Sequence, residues 1–145
     1  MAESFFAKID EPKVVEAIRL AELRSRGEIR IHVSGKAVAN VMQEATSAFE
    51  RLGMTRTAER NGILVFVAPA SHNFAVLGDS GITSIVGTAP LDEMAAAMAA
   101  AFREGRFTDG LVAVVEKAGD LLAAHYPRVE GSRDKDELSN AISRG

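Results

Sequence analysis

Two stretches of the chain have the hydrophobic pattern of β-strands. Apolar and polar residues alternate strictly from Glu28 to Val33, which predicts a strand with one strongly apolar face. The run from Ile63 to Ala68 is apolar at every position, as is typical of a central strand covered on both sides. A third run, Phe74 to Gly78, follows after a short polar connection, and we expect it to form a strand as well.

Apolar residues at helical spacing predict helices on either side of the first strand. Asp10 and Pro12 have the character of a helix start, and the pattern runs on to about Ser25, with Gly27 as the stop. After the turn at Ser34-Gly35, a second apolar stripe ends at Gly53; its members are Val38, Val41, Met42, Ala45, Phe49 and Leu52.

The second half of the chain is predicted to be largely helical. Leu91 to Arg103 has an alanine-rich helical pattern, and Thr108 is expected to cap a further helix that reaches about His125. The apolar face of that last helix is expected to include Leu111, Val114, Ala118, Leu121 and His125. Residues Ile82 to Ala89 fit either a short strand or a helical turn.

The order of these elements predicts an α/β fold in one domain. Strand, helix and strand from Glu28 to Ala68 form a parallel βαβ unit, and the five-residue connection after Ala68 indicates an antiparallel return. We therefore expect a three-layer α/β/α sandwich, with a mixed sheet of three to four strands and about four helices. The domain spans residues 1–127, and the polar tail of residues 128–145 is expected to be partly disordered or docked through Leu138 and Ile142.

Oxygen-bearing side chains are predicted to gather at one rim of this sheet. The parallel strands start near Glu28 and Asn61, and the antiparallel strand ends at Asp79, so these residues and Glu59 should lie together. Carboxylate, amide and backbone oxygens are the ligands that calcium and magnesium prefer, which makes this rim a candidate metal site. Asp109 could add a ligand if its turn faces the same rim. The same residues are also common in ordinary turns.

Composition removes several other classes of function. The chain of 145 residues has a net charge of −3 and no basic cluster, so we expect neither a nucleic-acid nor a membrane partner. With no cysteine it can form no disulfide and no thiolate zinc site. His32, His72 and His125 are scattered and show no zinc-binding spacing. No targeting segment is recognisable, and a cytoplasmic location is expected.

A series of motifs resembles the TPM domain, a family named after a thylakoid lumen protein, a photosystem repair protein and a modulator of a nicotinic receptor. The resemblance extends from about Glu11 to Pro127. It is carried by Gly27–Arg30, Phe49–Met54, Arg60–Ala68, Ser71–Ala75, Leu77–Ile82 and Phe102–Leu111. The chain is similar to the short, soluble bacterial branch, because the signal peptide and the C-terminal anchor of many members are not recognisable in it.

The resemblance implies an α/β/α sandwich and an association with calcium binding; in the plant lumenal branch it also implies acid phosphatase activity. The family's motif positions are matched by Asn61, Gly62, Gly78, Asp79 and Gly81, and less securely by Glu59. The aromatic residue that often precedes the third helix of the family is replaced by the sequence Ala-Pro-Leu at residues 89–91.

Three functions follow from these patterns. The first is a divalent-cation-binding module with an interaction or regulatory role, in which calcium is favoured over magnesium and Asp79, Asn61, Glu59, Glu28 and Asp109 are candidate ligands. The alternative is a metal-dependent acid phosphatase acting on phosphomonoesters. The third is a structural interaction domain without a ligand. The expected partner is a metal ion, with a second protein as a further candidate.

Overall fold

The computed structural model of the protein describes residues 2–128 and 140–145. The strands in this part of the chain are β1 (Glu28–Val33), β2 (Gly62–Ala68), β3 (Asn73–Gly78) and β4 (Ser143–Arg144). They form one sheet in the order β3-β2-β1-β4. β1 is parallel to β2 and β4, whereas β2 and β3 are antiparallel. The mixed sheet predicted from the sequence is therefore confirmed.

Six helices lie within the described residues. They are α1 (Ala2–Phe6), α2 (Glu11–Glu22), α3 (Val41–Arg51), α4 (Ser80–Val86), α5 (Ala89–Arg103) and α6 (Phe107–His125). The ambiguous segment after residue 82 is thus helical, and α1 was not predicted. No single helix among them has the length and hydropathy to cross a membrane; α4 and α5 meet that test only as a pair bent by 101°.

The helices cover the sheet in two layers and complete the predicted three-layer sandwich. One apolar core lies between the sheet and α2, α5 and α6, and it includes Ile18, Ile31, Val65 and Leu122. A second, smaller core lies on the opposite face, where Phe49 of α3 packs with residues of β2 and β3. Because both faces are covered, all seven residues of β2 are buried, as their uninterrupted apolar run predicted.

Side-chain caps define the starts of two helices. The Asp10 carboxylate accepts a hydrogen bond from Lys13 N (3.1 Å), and the Asn40 side chain accepts one from Gln43 N (3.1 Å). Thr108 was wrongly predicted to cap α6. Its hydroxyl instead accepts a hydrogen bond from Asp10 N (3.0 Å), which joins the beginning of α6 to the beginning of α2.

Two residues assigned to apolar helix faces are exposed. Met42, in the first turn of α3, is 48% exposed, and His125 is the last residue of α6. Their spacing fits the stripes, but each lies in a terminal turn of its helix. Helix ends are the part of an amphipathic pattern that core packing constrains least.

The polar side of β1 is largely buried, as expected of a strand in a sheet covered on both faces. His32 is buried; its ring stacks on Phe66 (5.7 Å between centroids), and its Nδ1 lies 2.9 Å from Ser143 Oγ on β4. Burial, and secondarily the nearby charges of Arg51 and Arg30, lower the pKa of His32 below its ordinary value. His32 therefore lies between α3 and β4 in surroundings that disfavour its protonation.

The described end of the tail joins the sheet through β4. Ile142 is buried in the larger core, as the sequence analysis expected of a docked tail. Leu138, the other residue expected to dock, lies outside the described residues. A strand of two residues in a charged segment has no periodicity to reveal it, so β4 was not predicted.

Gly81 fixes the geometry of the rim where β3 ends. A Cβ atom at this position would lie 2.4 Å from the carbonyl oxygen of Glu59 and 2.6 Å from that of Arg60. Gly81 N donates to the Arg60 carbonyl (2.8 Å), and Tyr126 Oη donates to the Gly81 carbonyl (2.6 Å). The start of α4, the loop before β2 and the end of α6 therefore meet at a position with no room for a side chain.

We predict that Gly81→Ala destabilises the protein by about 2–3 kcal/mol, because the new methyl group must displace backbone atoms rather than a flexible side chain. Urea denaturation monitored by circular dichroism measures this loss. Ser80→Ala is the matched control. Ser80 is an exposed neighbour in the same helix, and its substitution should change the free energy of unfolding by less than about 0.5 kcal/mol. Equal losses in the two variants would contradict the close-approach argument.

We also predict that His32 makes the protein less stable in acid. Its pKa is lowered in the folded state, so the unfolded chain takes up the proton first once the pH falls below about 6.5. The free energy of unfolding should decrease below that pH, by at most about 1.4 kcal/mol per pH unit from this group.

His32→Gln should remove this contribution to the pH dependence of the free energy of unfolding. Urea denaturation at a series of pH values between 7 and 5 measures it. His72→Gln is the control, because His72 is exposed at the tip of the β2–β3 hairpin. If the stability of His32→Gln falls with pH as steeply as that of the unmodified protein, another group is responsible.

Candidate functional site

Four of the predicted site residues, Glu28, Glu59, Asn61 and Asp79, lie at the same rim of the sheet. Glu28, the first residue of β1, pairs with Gly62, the first residue of β2. Asn61 directly precedes Gly62, and Asp79 N donates a hydrogen bond to the Gly62 carbonyl (2.9 Å). The rim therefore lies at the edge of the sheet where the parallel strands start and the antiparallel strand ends, as predicted from the sequence.

Asp79 is almost entirely buried, and its side chain both caps a helix and forms an ion pair. One oxygen, Oδ1, accepts a hydrogen bond from Ser80 N (2.7 Å) and so caps α4. Arg60 donates to both carboxylate oxygens, from Nη2 to Oδ1 (2.8 Å) and from Nε to Oδ2 (2.7 Å). The Asp79 side chain is 5% exposed but that of Arg60 is 49% exposed, so a buried carboxylate is neutralised by a cation at the surface. The hydrogen bonds to Asp79 raise the pKa of Arg60.

Glu59 has an arginine partner of its own. Arg26 donates from Nε to Oε2 (2.9 Å) and from Nη2 to Oε1 (3.0 Å), a bidentate pair. The hydrogen bonds from Arg26 lower the pKa of Glu59. Arg26 also donates to the Pro127 carbonyl (2.5 Å) and lies over the Tyr126 ring at 5.7 Å. Glu59 is thereby tied to the end of α6.

Asn61 is buried at the centre of this arrangement. Its Nδ2 donates to the carbonyl oxygen of Arg26 (3.3 Å), and its backbone N–H donates to Thr57 Oγ1 (3.3 Å). Its side-chain oxygen, Oδ1, accepts no hydrogen bond from any part of the chain that the structure describes. A buried amide oxygen without a donor costs free energy, and such atoms often have a ligand, an ion or a water as partner.

Asp109 does not lie at this rim. It is exposed in the first turn of α6, whereas the last turn of that helix leads to Tyr126 and its hydrogen bond to Gly81. A helix of 19 residues separates the two ends by about 28 Å. The turn before α6 therefore faces the other end of the sheet, and Asp109 is not among the residues that the fold brings together.

The rim is built from pairs of opposite charge rather than from a cluster of acids. Within residues 2–128 and 140–145, no group of three His, Cys, Asp or Glu side chains is arranged to hold a metal ion. Arg26 and Arg60 were not predicted as members of the site. Their positions could have indicated it, since each shortly precedes one of the two parallel strands, whose starts share this rim.

Comparison with known proteins identifies the family and supports the fold. The family model described as TPM domain matches residues 2–121. A solved structure with the same fold is the NMR structure of the BA42 protein from the psychrophilic bacterium Bizionia argentinensis. The two chains are 38% identical, with a TM-score of 0.83 over 93% of this chain and 92% of BA42. No curated protein matches. The chain therefore belongs to the TPM domain family, whose model covers most of its length.

Proposed function

We propose that the protein is a divalent-cation-binding module in which calcium is the favoured ion and Asp79 is the anchoring ligand. The observation that carries the proposal is the unequal burial of the Asp79–Arg60 pair. The carboxylate is fixed in the protein, whereas the cation that neutralises it is half exposed and can leave. Calcium would take the place of the guanidinium.

The oxygen donors at the rim support this exchange. Departure of Arg60 frees Asp79 Oδ2, while Oδ1 keeps its hydrogen bond to Ser80 N and continues to cap α4. The side-chain oxygen of Asn61 is buried at the same rim and accepts no hydrogen bond from the described residues. Calcium binds carboxylate and amide oxygens and accepts irregular geometry, which suits this set better than it suits magnesium.

The paired arginines also set the strength of binding. A calcium ion must displace Arg60 and remain close to Arg26, so we expect weak affinity that decreases with added salt. Glu59 and Glu28 are secondary ligands in this proposal, because Glu59 already binds Arg26 and Glu28 lies buried at the start of β1. Asp109 is left out, since it lies at the far end of α6.

The phosphatase alternative has weaker support. A phosphoryl group needs cationic side chains that are available to it, and here the guanidiniums of Arg26 and Arg60 are both held by carboxylates. If the protein hydrolyses p-nitrophenyl phosphate in calcium or magnesium, the activity should be absent in Asp79→Asn. A ligand-free interaction domain remains the third hypothesis, and it would be favoured if millimolar calcium causes no change in the amide spectrum.

We predict that Arg60→Gln raises calcium affinity about two- to fivefold, because the ion no longer competes with a guanidinium for Asp79. Asp79→Asn should abolish binding while an asparagine still caps α4. Titration of the ¹⁵N-labelled protein with calcium, followed by amide NMR, measures both effects at residues 59–62 and 79–81.

Arg56→Gln is the control for the loss of one positive charge. Arg56 is exposed before β2 and makes no ion pair within the described residues. The proposal fails if Arg60→Gln and Arg56→Gln bind calcium equally well, or if Asp79→Asn retains the shifts of the unmodified protein.

A further inference from the structure

A cavity of about 540 Å³ opens at the opposite end of the sheet from Asp79. It lies between α1, α5, the first turn of α6 and the turn that joins β2 to β3. Its walls include the rings of Phe5, Phe74, Phe102 and Phe107. This volume falls within the range of pockets that bind small molecules, and predominantly apolar walls are typical of them.

The aromatic walls are held in place by their own contacts. Phe102 is at the centre, with ring centroids 5.0 Å from Phe74, 5.4 Å from Phe107 and 5.6 Å from Phe5. Phe5 and Phe107 are also 5.6 Å apart. Edge-to-face contacts at these separations are favourable, so the apolar surface is formed before any ligand arrives.

The charged and ionisable side chains that line the cavity all have basic character. They are Lys8, His72 and Arg103, and no Asp or Glu is among the lining residues whose side chains the structure describes. Neither Lys8 nor Arg103 forms an ion pair with an acid in the described part of the chain; the Lys8 ammonium lies 5.5 Å from the centroid of Phe107. The protein as a whole carries a net charge of −3, so this local positive charge is not a general property of its surface.

Two other depressions lack this combination. The one between α2 and α6 has apolar walls but a mixed rim, with Glu16 and Glu116 beside Lys13 and Arg24. The one beside His32 is smaller, about 260 Å³, and mainly polar. Neither depression has both a large apolar wall and charged side chains of a single sign.

We propose that the aromatic cavity binds a small amphipathic anion, meaning an apolar chain or ring that ends in a carboxylate or phosphate. The apolar body would contact chiefly the partly exposed rings of Phe74 and Phe107, which lie against the buried rings of Phe5 and Phe102. The anionic group would remain near the mouth beside Lys8 and Arg103. Burial of the body supplies most of the affinity, and the two cations select the sign of the charge. The site is independent of the cation site, from which α6 separates it by about 28 Å.

Titrations with hexanoate, octanoate and decanoate test the proposal by calorimetry and amide NMR. Each pair of added methylenes should raise the affinity about tenfold until the cavity is filled. Octanoate should bind more tightly than 1-octanol and much more tightly than octylammonium. Comparison of octanoate with octyl phosphate then shows which anionic group the mouth prefers, and tight binding of either supports the site.

Paired variants locate the binding. Lys8→Gln combined with Arg103→Gln should weaken octanoate binding about tenfold and leave 1-octanol unaffected, whereas Arg56→Gln with Lys117→Gln removes the same charge elsewhere without effect. Ala99→Phe should fill the cavity and block both ligands; Ala97→Phe, on the exposed side of α5, should not.

Three results would overturn the proposal: octylammonium binding as tightly as octanoate, affinity that does not change with chain length, or amide shifts that lie away from the cavity. Because the calcium experiment reads residues 59–62 and 79–81 at the other end of the sheet, failure of either proposal leaves the other intact.

Discussion

The rim of the sheet depends on the direct contact between Gly81 and the backbone of residues 59–60. This contact places Arg60 next to Asp79 and brings the end of α6 close enough for Tyr126 to bind the Gly81 carbonyl. Arg60 adopts a left-handed backbone conformation (φ 52°), which costs a residue other than glycine about 1–2 kcal/mol. The hydrogen bond from Gly81 N and the ion pair with Asp79 offset that cost, so the backbone geometry and the charge pairing of the rim stabilise each other.

The sequence predicted which oxygen-bearing side chains meet at the rim, but it could not predict their partners. Strand direction alone brings Glu28, Asn61 and Asp79 together, because parallel strands start at the same edge. Which side chain neutralises Asp79 depends on the turn before β2, whose conformation follows from tertiary contact with Gly81. A turn of this kind has no periodicity, and its left-handed residue is an arginine, so no local pattern in the sequence reveals it.

The same reasoning explains where the fold prediction was right and where it was incomplete. The uninterrupted apolar run of β2 predicted a strand covered on both sides, and the structure has α3 on one side and the larger core on the other. The alternating pattern of β1 predicted a strand with one strongly apolar face, but it could not show that β4 pairs with β1 beside the buried His32. Helix α1 and strand β4 have five and two residues, which is too short for either period to appear.

The two ends of the sheet differ in whether their cationic side chains are paired with carboxylates. At the Asp79 rim Arg26 and Arg60 are each paired with a carboxylate, so the proposed cation would have to replace one of them. At the aromatic cavity, Lys8 and Arg103 lie beside apolar rings, with no acid among the lining residues whose side chains the structure describes, so the proposed anion would displace none of these lining groups from an ion pair. When a metal ion replaces a guanidinium beside a carboxylate, the gain in free energy is only the difference between two similar interactions. When an anion binds beside unpaired cations, its charge interaction adds to the free energy gained by burying its apolar body. On these grounds we expect the cavity to be the stronger of the two binding sites, although the family resemblance directs attention to the rim.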